Sequence, residues 1–205
     1  GVFALASTER VIQLVDARTG QRRGEFKLSP RQARGRLFRS IAFSKDGRRL
    51  IVGGLMNGGV GIYDVESGNL LIEWDAPNTE YVRFSPDGSK VLHIDNPRQM
   101  TVRDPSTGQV LWRRGGVLRA EFTPDGQILA ANGTALVRLE AATGNVRQTL
   151  PPLRADVFNM VVSPDGSSLF YTPWRGMVVR GVRLADGATF FERPITDGSG
   201  SWASV

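Results

Sequence analysis

Phe84-Ser85-Pro86-Asp87-Gly88 is the stretch whose reading decides the fold, because the chain repeats it three more times. It returns as Phe43-Ser44-Lys45-Asp46-Gly47, Phe122-Thr123-Pro124-Asp125-Gly126 and Val162-Ser163-Pro164-Asp165-Gly166. The closing glycines, at 47, 88, 126 and 166, stand 41, 38 and 40 residues apart, a period that marks a tandem array of like units. The chemistry of the phrase is that of a strand running into a tight turn. An apolar residue ends the strand, Ser or Thr can bond nearby backbone, Pro presets φ, and Asp-Gly tolerates positive φ. Each phrase is followed by another apolar run, as in Leu50-Ile51-Val52 and Val91-Leu92-His93-Ile94, so each unit opens with a β-hairpin.

A second marker falls between the hairpins: an acidic residue four positions before a turn glycine. It reads Asp16-Ala17-Arg18-Thr19-Gly20, Asp64-Val65-Glu66-Ser67-Gly68, Asp104-Pro105-Ser106-Thr107-Gly108 and Glu140-Ala141-Ala142-Thr143-Gly144, with a degenerate fifth at Leu184-Ala185-Asp186-Gly187. A β-rich run precedes each marker and another follows, such as Leu70-Leu71-Ile72-Glu73-Trp74, so every repeat is expected to hold four short strands. No window sustains a helical period. The predicted class is all-β, in one domain of repeats at 1–37, 38–78, 79–116, 117–156 and 157–200, with 201–205 beginning a further strand.

Composition bounds what the units can do. The 205 residues are 40% hydrophobic, enough for a real core, and contain no cysteine, so neither disulfides nor thiolate metal ligands are available. The formal charge of +6 comes almost entirely from arginine, the lysines being Lys27, Lys45 and Lys90. That balance permits acidic proteins, nucleic acid or anionic surfaces and does not choose among them. The opening Gly1-Val2-Phe3 has neither an initiating methionine nor a signal-like pattern, and the chain reads as a processed product or an excised piece; cytoplasmic and periplasmic or secreted settings both stay open.

With these markers the sequence resembles the WD-repeat and YVTN-type β-propellers, in the degenerate, bacterial-like form, over essentially its whole length. Asp16, Asp64, Asp104 and Glu140 match the aspartate of the family's Trp-Asp pair, with Val15, Tyr63, Arg103 and Leu139 at the tryptophan position. The upstream Gly-His pair is missing, and the one histidine, His93, lies on a second strand, where alternation with apolar neighbours marks it as a core residue. Trp74-Asp75 mimics the signature but falls on a fourth strand. The resemblance implies a propeller of about five four-stranded blades. Aligned on its repeats, the chain starts on a second strand and stops inside a first strand, Trp202-Ala203-Ser204-Val205. The ends would then complete one shared blade, or the chain would be an arc of a larger ring.

In such a fold the loops joining fourth to first strands and second to third strands emerge on one edge and usually carry binding. The longest of them, Ser29-Pro30-Arg31-Gln32-Ala33-Arg34-Gly35-Arg36-Leu37-Phe38-Arg39, is dense in arginine. Its Arg31, Arg34, Arg36 and Arg39, together with Arg98, Arg154 and the pair Trp174-Arg175 on other loops, are the candidate partner contacts, since guanidinium groups pair with carboxylate and phosphate. A solvated insertion is the competing reading of the arginine run. Arg83 and Glu121 occupy the same place in consecutive repeats, one residue before Phe84 and Phe122, and are expected to form a structural ion pair or to line the axial channel.

The expectation for function is a non-catalytic scaffold that binds a protein or peptide, with no cofactor and no metal site implied. The alternatives are a propeller enzyme with an axial site, lactonase-like or quinoprotein-like, and a nucleic-acid surface on the arginine-rich face. With one histidine and no cysteine, a metal would have to rest on Asp, Glu and Asn.

Overall fold

The computed structural model describes residues 1–6, 11–34, 37–55, 58–76 and 78–195, and among them every regular element but one three-residue 3-10 turn, Gln32–Arg34, is a β-strand. The strands form five antiparallel sheets, each pairing its strands in chain order. The first has three: β1 (Val2–Ala6), β2 (Val11–Asp16) and β3 (Arg22–Lys27). The second holds β4 (Leu37–Phe43), β5 (Arg49–Leu55), β6 (Val60–Asp64) and β7 (Leu70–Trp74). The third holds β8 (Thr79–Phe84), β9 (Val91–Asp95), β10 (Gln99–Arg103) and β11 (Val110–Gly115). The fourth holds β12 (Arg119–Phe122), β13 (Ile128–Asn132), β14 (Ala135–Leu139) and β15 (Val146–Leu150). The fifth holds β16 (Val157–Val162), β17 (Ser168–Pro173), β18 (Val178–Arg183) and β19 (Thr189–Pro194). The strand expected from 201–205 lies outside the described residues. The chain divides into two compact units, 1–116 with the first three sheets and 117–205 with the other two.

The repeated phrase makes the hairpin turn for a definable reason. Ser85 Oγ donates to Asp87 Oδ1 at 2.6 Å and accepts from the backbone N–H of Lys90 at 2.9 Å, so one hydroxyl ties both sides of the turn. The Gly88 N–H donates to the Ser85 carbonyl at 2.9 Å with φ at +69°, a conformation that glycine adopts without a Cβ penalty. Ser44 with Asp46 and Ser163 with Asp165 repeat the hydroxyl–carboxylate bond at 2.5 Å, and Thr123 makes it to Asp125. The second marker is equally regular: the N–H groups of Gly20, Gly68, Gly108, Gly144 and Gly187 donate to the carbonyls of Asp16, Asp64, Asp104, Glu140 and Arg183.

Because these turns fix register, apolar side chains fall on chosen faces and consecutive sheets within a unit pack through them. Ile12, Leu14 and Phe26 of the first sheet bury against Leu50, Val52 and Tyr63 of the second. The other face of the second sheet, through Ile51, Val60 and Ile62, meets Val82, Phe84 and Val91 of the third. Gly53 allows that approach, since a Cβ there would stand 2.8 Å from the side chains of both Thr79 and Val82. In the second unit, Leu129, Leu136 and Leu150 pack on Met160, Leu169, Tyr171 and Val182. Full burial of each such side chain contributes about 1.5–3 kcal/mol. No helix among the described residues is long and apolar enough to cross a membrane.

The turn carboxylates make the fold sensitive to acid. Hydrogen bonds from Ser163, then from the N–H and hydroxyl of Ser167, hold the Asp165 carboxyl down to about 2, and bonds from Ser44 and the Arg48 N–H lower that of Asp46. A carboxyl lowered in the folded state stabilises the fold above its ordinary value and loses that contribution as pH falls toward the folded value. Melting temperature should therefore drop between about pH 4 and pH 2. Asp165→Asn should start lower at pH 7 and show a shallower drop, read by circular dichroism melts across that range.

Candidate partner-binding surface

Antiparallel order sends the 4-to-1 and 2-to-3 connections to one edge of each sheet, and hydrogen bonds lock them together there. In the second unit the Leu153 N–H donates to the Thr134 carbonyl at 2.8 Å, and the Trp174 N–H to the Asp156 carbonyl at 2.9 Å. The β13–β14 turn, the 151–156 loop and the β17–β18 turn thus form one continuous rim. In the first unit the Asn96 N–H donates to the Asn78 carbonyl at 3.0 Å, joining the loops at the third sheet's edge.

The arginine-rich loop is anchored from within. Gln32 is fully buried, donates from Nε2 to the Val52 carbonyl at 2.9 Å and accepts on Oε1 from the Tyr63 hydroxyl. Tyr63 in turn accepts from the Ser29 N–H at 2.9 Å, and Ser29 Oγ donates to Glu73 at 2.5 Å. Burial raises the Tyr63 phenol above its ordinary value, which keeps it a donor. Gly61 leaves the space, because a Cβ there would lie 2.7 Å from Gln32 Oε1.

Arg31 pairs inside the unit, with Asp75 at 2.9 Å and Glu73 at 3.7 Å, so its guanidinium is already occupied. Arg34 closes the 3-10 turn, and Arg36 lies outside the described residues. Arg39 is exposed on β4, and Arg98 is exposed in the β9–β10 turn at φ +54°, a left-handed conformation costing about 1 kcal/mol in a non-glycine residue. Arg83 donates to the Val82 carbonyl at 2.9 Å and lies 4.2 Å from the Tyr81 ring centroid. Its expected partner Glu121 is a half-buried residue of β12 in the second unit.

The second unit gathers the candidates most closely. Trp174 is 56% exposed, and its ring meets Phe158 edge-on with centroids 5.2 Å apart. Arg119 lies over the same Phe158 ring at 5.6 Å, and Arg154 and Arg175 are exposed on the adjoining loops. The Glu192 carboxyl is lowered by a hydrogen bond from Arg180, with Arg154 adding its charge. An exposed aromatic side chain in contact with a second ring, with two exposed arginines on the adjoining loops, can bury apolar area and pair with a carboxylate in the same contact. Phe158, on a strand, gave no signal in the sequence because nothing there tells which face of β16 it shares.

His93, expected as a satisfied core histidine, is buried and belongs to a relay across the third sheet. Arg103 Nε donates to His93 Nε2 at 3.2 Å, so the ring proton sits on Nδ1 and is donated to Asp95 Oδ1 at 3.1 Å. Thr79 Oγ1 also donates to Asp95, at 2.7 Å. Burial pushes the Asp95 carboxyl up, but the His93 and Thr79 bonds and the Arg103 charge outweigh it and hold it below its ordinary value. Arg103 further stacks 5.3 Å over Trp74, joining the second and third sheets.

Among the described residues, no three His, Asp or Glu side chains gather where they could hold a metal ion. No protein-family model matches the chain, and comparison with curated proteins finds no similar sequence.

The relay makes a direct prediction. Asp95→Ala leaves the buried His93 N–H without its acceptor and the Thr79 hydroxyl with the Ala76 carbonyl alone, and should lower unfolding free energy by about 2 kcal/mol, measured by urea denaturation of the intact chain.

Proposed function

We propose that the chain is a β-propeller of the WD-repeat/YVTN kind whose loop edge binds a protein or peptide, and that the second unit's rim around Trp174 is the contact. The exposed, braced Trp174 is the observation that carries this reading. Tryptophan and arginine dominate binding energy where they occur in interfaces, and a ring fixed by Phe158 loses little freedom on binding. With Arg154 and Arg175 exposed on the same rim, the favoured partner is an acidic segment with at least one apolar side chain.

The first sheet supports the repeat reading: its three strands are those of a unit that lacks its first strand, and Phe3 and Leu5 on β1 are 60% and 55% exposed.

One experiment tests this reading. Selection of acidic and neutral peptides on an array should favour the acidic ones, and Trp174→Ser with Arg175→Ser should weaken the best binder by about tenfold or more; equal retention by the variant rejects the surface.

A further inference from the structure

The fourth and fifth sheets break the pattern of the array at two positions, and the two meet in one cleft. Each third strand shifts register near its end, and the residue just before that shift is Leu14, Ile62 and Val102 in the first three sheets, all buried. In the fourth sheet it is Arg138. In the fifth it is Gly181, with Phe170, Phe190 and Phe191 crowding the place of a Cβ. The residue whose carbonyl accepts from the turn glycine is acidic in four units but is Arg183 in the fifth. A pattern obeyed elsewhere and broken twice at one spot is where function is to be sought.

Between Arg138 and Arg183 opens a cavity of about 350 Å³, with Gln148 and Ser167 on its walls and Leu150 and Leu184 as apolar floor. No Asp or Glu lines it among the described residues. Arg138 is poorly partnered: its Nε is buried without an acceptor, and its Nη1 has only Asp125 at 3.4 Å, a carboxylate already bonded by Thr123. Arg183 has Asp186 at 3.2 Å, with both side chains more than half exposed, a pairing of small worth in water. A guanidinium held in an aliphatic position without good acceptors is costly, and an oxyanion brought into the cleft would relieve that cost.

We propose that this cleft binds a small carboxylate carried on an aliphatic body. The guanidinium groups supply forked donors for the carboxylate, Leu150 and Leu184 receive the alkyl part, and the volume lies near the lower end of small-molecule sites, which run from about 300 Å³. The cleft sits beside the β16–β17 and β18–β19 turns, on the sheet edge opposite the Trp174 rim, so the two sites stand or fall separately.

N-acetyl-leucine and its neutral amide, N-acetyl-leucinamide, are the probes, followed through the Nε–H signals of Arg138 and Arg183 in ¹H–¹⁵N spectra of the intact chain. The acid should shift both signals saturably and the amide should not. Arg138→Leu restores the aliphatic type of the first three sheets and should keep the melting temperature or raise it. It should weaken the acid, read on the Arg183 signal, by about tenfold or more. Equal shifts from acid and amide, or unchanged affinity in Arg138→Leu, would overturn the site. Inorganic phosphate is the third arm: shifts from phosphate without shifts from N-acetyl-leucine would mark a bare oxyanion contact and overturn the aliphatic part. Trp174→Ser should leave the acid's affinity unchanged, and its loss there would overturn the independence of the two sites.

Discussion

A single hydroxyl–carboxylate hydrogen bond, made four times, sets the geometry on which the other contacts depend. Ser44, Ser85, Thr123 and Ser163 each reach the aspartate two residues on. In the three serine copies the same hydroxyl accepts the N–H that reopens the next strand. Closing the turn at a set length fixes hairpin register. Strand side chains alternate with period two, so a slip of one residue would exchange Leu50 and Val52, which pack on the first sheet, with Ile51, which packs on the third. Packing of sheet on sheet follows from the turn rather than preceding it.

The polar groups left inside are spent on joining elements. The Gln32–Tyr63 bond seats a loop against the second sheet, and the Arg103–His93–Asp95 relay, with Thr79 bonded to Asp95, spans three strands of the third. Each leaves its members hydrogen-bonded, which is the condition for burying them at all. Arg138 does not meet that condition, because its buried Nε has no acceptor.

Arginine is abundant, but structure divides it into roles that its abundance conceals. Arg31 is held by two carboxylates, Arg49 donates to the Gly88 carbonyl, and Arg103 is part of the relay. Arg154 and Arg175, exposed on the loops of the Trp174 rim, owe their interest to that exposed ring and not to the length of any arginine run.

The array of short strands, the turn positions and the three-stranded start were all legible in the chain, because turn chemistry is local: Ser, Pro, Asp and Gly act on their own backbone within five residues. The class and strand boundaries follow from that alone. Side-chain partners were not legible. Nothing in the spacing tells that Gln32 reaches Val52, that Phe158 backs Trp174, or that Arg138 and Arg183 face one cavity. Those pairings join residues from different strands and loops, and only the stacking of one sheet on the next brings them within reach.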